Sequence, residues 1–559
     1  MLPFLFASCV TEQAPEGGPP DETPPKLVCS FPENGALNFK GNKIRLTFNK
    51  EIKVEGIYTN LLIMPKLDAL KDKQPYSYTV NGKTLEIKFA IPLKEHTTYS
   101  MHFNNAVKDT HEGTKPTGAV LTFSTDSFID AITAKGETKE LLTNRPVGNV
   151  SVYLYSSERD PKEWQEKGGI PDYYTTTDKE GNFTMDHIRL GTYYIRATTG
   201  KSNKYEIDYE KDQYGFFKDP IHLNDFQSAI LIPLISADVR DFTLLRSAPQ
   251  KGIYEVVFNK PIIKYQLIPL EAIGAKGKPQ IHSLLSDKSP RTIFIYNTFG
   301  LLEGEQLEVK LIAEDAYHTV LEKHLPIRFK EGKEDIEKTR LSHSVLTRPF
   351  PSILPSFTEV ITFNKPIQET NQDLIYFELA NEKKIPLKEE ALAWNSDKTK
   401  LTIKKVFKQE EIAALSRAAQ GEKDYDKTKK TVVLHMETGA CIAFDKEKNK
   451  KIDIVYPFRN EEETGTISGN IDTAVEHFII ELLNDKDVIV DTVRNTKNYC
   501  FTMVPPGTYG IRILVLNEGE EVWSPGNIRK NIEPNPVIFY EKELAVVEKW
   551  DVTGIDFKF

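Results

Sequence analysis

Apolar and polar residues alternate one for one along much of this chain. Ile44, Leu46 and Phe48 interleave with Lys43, Arg45 and Thr47, and Leu85, Ile87 and Phe89 repeat the pattern after the turn pair Asn81-Gly82. Successive side chains of a strand point to opposite faces, so this period predicts strands buried on one side and wetted on the other. Helical spacing is scarce. Its best example is Lys408 to Gln420, where Ile412, Leu415 and Ala418 recur at helical intervals, and it reads as an insertion between strands.

The strand pattern repeats at a larger scale. Phe48-Asn49-Lys50, Phe258-Asn259-Lys260 and Phe363-Asn364-Lys365 each end an apolar strand, with an isoleucine soon after, and each is followed by a second strand at 83–89, 291–297 or 398–404. One such tripeptide is uninformative, but three in the same context predict three related β modules. A second repeat fills the gaps. Residues 177–197 and 496–513 share Phe-Thr-Met, then Gly-Thr-Tyr, then Ile-Arg, so that Phe183 matches Phe501 and Tyr193 matches Tyr509. Both predict a hairpin, with Gly191 or Gly507 relieving a tight or left-handed turn. The expected fold is all-β, with few helices and modules of two kinds in the order A-B-A-A-B. The boundaries fall at 26–126, 127–235, 236–344, 345–458 and 459–559, after a leader and tether over 1–25. Short strands in units of this size suit β-sandwiches.

Composition fits several folded domains. A chain of 559 residues is too long for one core, and 39% hydrophobic with 27% charged residues is too apolar for general disorder. The net charge of −9, from 72 basic and 81 acidic side chains, gives no basic footprint for nucleic acid. Cys9, Cys29, Cys441 and Cys500 show no metal-ligand spacing, and Cys441 and Cys500 fall in different modules, which argues against pairing them. The first nine residues run from a short apolar stretch through small residues to Cys9, and a Pro/Gly/acid-rich segment follows to Lys26. That is the pattern of a bacterial lipoprotein signal, shortened at its start, with Cys9 as the acylated residue and the following segment as a tether. No stretch of 18 or more apolar residues predicts a membrane-spanning helix.

The residues 16–39, EGGPPDETPPKLVCSFPENGALNF, together with Phe48 to Ile52, the Leu93 to Tyr99 segment with Phe103, the Asp109 and Gly113 turn, and FSTD at 123–126, resemble a group of Bacteroidetes lipoproteins that begin with an SbsA-type bacterial Ig-like domain. The resemblance implies that Leu93 and Tyr99 support a Greek-key crossover, with the tyrosine hydroxyl free to cap backbone. Segments 175–185 and 190–197 resemble a prealbumin-like or carboxypeptidase-regulatory-like sandwich, with Leu190 in place of the usual proline. The last module keeps VPPGTYGIRI at 504–513, but Asn495 to Asn498 stand where the Asp-x-x-Gly turn would be. Residues 515–527 are similar to a segment that carries two acids in those proteins; here Leu516 or Asn517 and Ser524 take their places, which argues against a calcium loop. Trp523 and Trp550 are expected to be packing residues. The resemblance implies no common activity.

Enzyme signatures are missing: no G-x-S-x-G elbow, Walker A loop, H-E-x-x-H or Rossmann glycine pattern occurs. The chain is therefore expected to have no catalytic residues, cofactor or metal. His96, His102 and His111 are the densest histidines, and surface or capping roles outweigh a metal site for them. Glu461 to Glu463 read as a solvated junction and Lys446 to Lys451 as a charged loop. Loop aromatics are the remaining candidates for contact. Tyr173, Tyr174, Tyr209, Tyr214, Phe216 and Phe217 could stack on sugar rings or enter a protein interface, against the alternative that alternate members of each run are strand core.

The expected function is thus a non-enzymatic envelope lipoprotein on the outer membrane, displayed at the cell surface and acting as scaffold, spacer or binding module for protein or glycan. A periplasm-facing assembly factor rests on the same residues. An enzyme whose site is assembled from distant carboxylates is the alternative of a different class.

Overall fold

The computed structural model describes the chain from residue 21 to 559 apart from 68–72, 104–105, 117, 166–168, 201–204, 225–228, 251, 273–276, 287, 331–339, 346–351, 354, 380–382, 413–429 and 460. Cys9 and most of the tether lie outside the described residues, as does most of Lys408–Gln420, of which 409–412 are helical. The protein is all-β and built of tandem sandwiches. It divides into two compact units. One runs to Ala237 and includes Asn527–Glu533; the other comprises Asp238–Gly526 and Pro534–Phe559.

The alternation becomes a core directly. In the strand Lys43–Phe48, Ile44, Leu46 and Phe48 are buried, while Lys43 and Arg45 on the wet face meet Glu86 of the neighbouring strand at 2.9 and 3.2 Å. The sheet runs in the order Leu27–Phe31, Lys43–Phe48, Thr84–Phe89, Tyr76–Asn81. A second sheet of Leu62–Met64, Thr98–His102 and Val120–Ser124 closes the module over one shared core. A later module repeats the first sheet as Leu244–Pro249, Ile253–Phe258, Thr292–Tyr296 and His282–Leu285. A third does so as His343–Val345, Ser356–Phe363, Lys400–Val406 and Leu392–Trp394. Each has its own hydrophobic cluster, as an independent sandwich requires.

The Phe-Asn-Lys tripeptide has the same structural task in all three. The phenylalanine is core: Phe48, Phe258 and Phe363 are all but completely buried. The asparagine pins the strand that enters the module. Asn49 Oδ1 accepts the Lys26 amide at 2.6 Å, Asn259 Oδ1 the Thr243 amide at 2.8 Å, and Asn364 Oδ1 the Ser342 amide at 2.7 Å. The last two also donate from Nδ2 to the carbonyls of Asp241 and Arg340. The lysine reaches an acid at or just after the end of a later strand. Lys50 approaches Asp109 at 3.9 Å and Asp21 at 2.7 Å, Lys260 meets Asp315 at 2.9 Å, and Lys365 meets Asp445 and Glu447 at 2.5 and 2.7 Å. Those acids also hold their own turns, Asp109 through the His111 and Glu112 amides and Asp315 through the Tyr317 and Thr319 amides.

The two remaining modules share one topology. Ile132–Glu140 lies between antiparallel Asn182–Ile188 and parallel Ile230–Leu234; Gly465–Asp472 likewise lies between antiparallel Asn498–Val504 and the parallel strands Asp551–Val552 and Phe557–Lys558. The facing sheets also correspond. Tyr173–Thr176, Ser151–Ser156 and Gly191–Thr198 match Ile489–Arg494, Phe478–Asn484 and Gly507–Val515. Gly191 and Gly507 serve differently from the turn expected of them, for neither has a positive φ. The tyrosine two residues on folds back over each, so a Cβ would stand 3.3 Å from the Tyr193 ring or 3.4 Å from the Tyr509 ring. The ring is held there because Tyr193 donates its hydroxyl to the Arg189 carbonyl at 2.8 Å, and Tyr509 to the Pro505 carbonyl at 2.6 Å. Tyr99 caps the other way: its oxygen accepts the Lys94 amide at 2.9 Å, with Leu93 packed against the same core.

Candidate functional site

The six loop aromatics separate by face. Tyr173, Tyr214 and Phe216 are 4%, 1% and 4% exposed, which corrects their reading as contact residues: Tyr173 lies in the core between the sheets, while Tyr214 and Phe216, paired with Thr198 and Arg196, are buried on the outer face of the sheet. Tyr214 also donates to the Ala237 carbonyl. Phe217 packs partly on the same core, and Tyr209 lies edge-on to Tyr214 at 5.5 Å. Tyr174 differs. It follows Tyr173 on the strand Tyr173–Thr176 and therefore takes the opposite face, where it joins a second aromatic layer.

That layer covers the outer side of the sheet. The short helix Lys162–Gln165 lays Trp164 on Tyr155 with centroids 4.5 Å apart and planes 14° apart. Arg196 lies 4.7 Å from the Trp164 ring, and Tyr205 meets Tyr153 and Tyr174 edge-on at 5.6 and 6.2 Å. Across the sheet Arg196 is paired with Tyr153, whereas the matching pair in the last module is Arg512 and Glu481, joined at 2.6 Å. Aligning the two Ile-Arg strands would have exposed this exchange of an acid for an aromatic. Tyr153, Trp164 and Tyr205 carry no motif of their own and were missed.

Tyr174 and Tyr205 open onto a crevice of about 290 Å³ within this unit. Tyr58, Leu61, Ile63, Lys66, Leu67 and Tyr76 form its other wall, with Lys73 and Pro171 also lining it. Tyr76 is buried and donates its hydroxyl to the Ile57 carbonyl; Tyr58 stands 5.3 Å from it and is 45% exposed. Burial pushes the Tyr76, Tyr174 and Tyr205 phenols up, so all three are neutral donors at physiological pH. Burial pulls the Lys66 ammonium down, and the nearby Arg159 adds to the effect. Among the described residues, two lysines and no carboxylate line the crevice, and no acid lies within ion-pair distance of Lys66.

Two further cavities, of about 570 and 360 Å³, flank the joint between the second and third modules that carry the Phe-Asn-Lys strand. The joint is hydrogen-bonded. Ser283 donates from its amide and hydroxyl to Asp397, Gln280 donates to the Ser396 carbonyl, and Tyr296 to the Asn364 carbonyl.

The other candidate groups are engaged singly. His96 meets Asp126, His102 meets Ser100, and His111 binds Asp109 through its amide; among the described residues no group of three metal-ligating side chains occurs. Cys29, Cys441 and Cys500 are free thiols. In the 515–527 segment, Glu520 is tied to Asn517 and Asn535, and Trp523 donates to the Asn535 carbonyl. Trp550 is 68% exposed, which corrects its reading as a packing residue.

The first module is a bacterial Ig-like domain. That family matches residues 21–125. No curated protein matches the chain. Among solved structures, a DUF3823 family protein from Bacteroides uniformis is similar at 10% identity over 36% of this chain and 100% of its own, with a TM-score of 0.14. Dimeric latent PorU from Porphyromonas gingivalis is similar at 10% identity over 58% of this chain and 36% of its own, with a TM-score of 0.21. The S-layer protein rSbsC is similar at 9% identity over 89% and 66%, with a TM-score of 0.13. Scores this low carry no inference about activity.

Proposed function

We propose that this chain is a non-enzymatic envelope lipoprotein, anchored to the outer membrane through Cys9 and displayed at the cell surface as a scaffold and binding module. One observation carries the reading. In all three Ig-like modules the recurring polar residues, Asn49, Asn259 and Asn364 with Lys50, Lys260 and Lys365, are committed to holding the module shut. Repetition of a structural clamp is what a serial scaffold needs, while binding is left to loops and crevices that differ between modules. The anchor is supported by the small residues before Cys9 and the Pro/Gly/acid segment after it.

Metabolic labelling with an alkynyl fatty acid, followed by protease treatment of intact cells, tests it. The wild-type chain should take up label and be digested in intact cells, and Cys9→Ala should remain unlabelled. Label on the Cys9→Ala chain would refute the anchor. Protection in intact cells with digestion after lysis would place the protein facing the periplasm.

A further inference from the structure

We propose that the crevice between Tyr58 and Tyr174 binds a carboxylated sugar unit of a glycan, its pyranose ring against the tyrosines and its carboxylate on Lys66. The inference rests on the reading of the chain as a surface binding module and gives that module a ligand class. Tyr58, Tyr76, Tyr174 and Tyr205 bring four rings to one cavity. An aromatic face is electron-rich, and the C–H face of a pyranose, weakly positive, stacks on it without demanding the flatness of another aromatic. Neutral phenols around the same space can donate to and accept from ring hydroxyls.

Charge narrows the class. Lys66 is half-buried, and losing water there disfavours its charged form, as does Arg159 beside it. Among the described residues that line the cavity are two lysines and no acid, and an incoming anion supplies counter-charge to them. A neutral sugar would bring that ammonium no counter-charge. An acidic peptide would satisfy it but would make little use of the rings. The volume of about 290 Å³ lies at the lower end of the range for small-ligand sites, roughly 300–1,000 Å³, and suits one or two rings of a longer chain.

Calorimetric titration of the full chain tests the proposal with four probes: tetragalacturonate, the neutral galactose tetramer, tetraglutamate and benzoate. Tetragalacturonate should bind saturably, and the other three at least about tenfold more weakly, the effect of losing the charge-assisted hydrogen bond (neutral tetramer), the ring contact (tetraglutamate) or the hydrogen bonds to pyranose hydroxyls (benzoate). Lys66→Met should weaken tetragalacturonate about tenfold and leave the neutral tetramer unchanged. Tyr58→Ala, at a position 45% exposed, should weaken both sugars in a chain that melts normally. Lys43→Met, on the wet face of the first sheet, should change neither. Absence of heat with millimolar tetragalacturonate, indifference to Lys66→Met in a chain that melts normally, or equal binding of tetraglutamate or benzoate would each overturn it. None of these results bears on acylation or surface display, so this inference and the scaffold reading fail separately.

Discussion

The Lys260 ammonium lies 2.9 Å from the Asp315 carboxylate, and both side chains are almost wholly removed from water. In the first Ig-like module the corresponding lysine, Lys50, retains 18% exposure and shares itself between Asp109 and the solvent-facing Asp21. One motif therefore makes a buried pair in one module and a partly wetted one in another. A buried charge left without its partner costs about 3–5 kcal/mol, whereas exposed pairs contribute little. Lys260→Ala should therefore open its module, seen as faster hydrogen exchange across Ile253–Phe258 and Leu307–Asp315. Lys50→Ala should have a much smaller effect across Lys43–Phe48. Equal protection in the two variants would show that burial does not set the strength of the clamp.

Acid should loosen the first module through Asp109. Burial alone would raise the pKa of this carboxyl, but the His111 and Glu112 amides and Lys50 outweigh it and hold the group below its ordinary 3.8. A carboxyl whose pKa is depressed on folding stabilises the fold above its unfolded pKa, and that contribution disappears as pH falls through the folded value. Hydrogen exchange in the 98–124 segment of the full chain should rise below about pH 4. Asp109→Asn should flatten that rise while lowering protection at neutral pH. A variant with the wild-type acid profile would exclude Asp109 as the responsible group.

The two hydroxyl caps offer a paired test. Tyr509 donates to the Pro505 carbonyl in a buried setting, while the Tyr193 bond to the Arg189 carbonyl is partly buried. Removing one partner of a buried hydrogen bond costs about 1–3 kcal/mol, because the carbonyl gives up its bond without regaining water. Tyr509→Phe should lower the denaturation midpoint of the last module more than Tyr193→Phe lowers that of the second. Retention of full stability by Tyr509→Phe would mean that the ring packing over Gly507 holds the corner unaided.

How far the sequence discloses this molecule depends on the range of the interaction. Period-two alternation placed Ile44, Leu46 and Phe48 in a core because that pattern is local. The three Phe-Asn-Lys tripeptides were visible as repeats, but their purpose was hidden, since the partner acids Asp109, Asp315 and Asp445 lie at or beyond the ends of distant strands and follow no common spacing. Tyr173 and Tyr174 show a further limit. Adjacent residues on a strand take opposite faces, and only the register against Leu154 and Tyr153 decides which one enters the core. The crevice was illegible for the same reason: Tyr58 and Lys66 meet Tyr174 and Tyr205 only after folding, and no short motif joins them.

Gly469 and Gly510 stand on different strands of the last module, and geometry predicts opposite tolerance for them. At Gly469 a Cβ would fall 1.9 Å from the Ile555 carbonyl oxygen, on backbone that cannot step aside while the chain near Phe557 remains paired beside this strand. At Gly510 a Cβ would meet no atom within 4 Å, and the backbone there is not left-handed. Gly510→Ala should thus be neutral or slightly stabilising, by up to about 1 kcal/mol, because alanine loses less backbone freedom on folding. Gly469→Ala must displace the C-terminal strand, and overpacking of this kind costs about 1–3 kcal/mol or more. Exchange-protected amides of Phe557 and Lys558 should become exposed in the Gly469 variant and stay protected in the Gly510 variant. Intact protection at Phe557 in Gly469→Ala would show that the sheet can spread to admit a methyl group, and the close approach of the two strands would then not be what requires glycine.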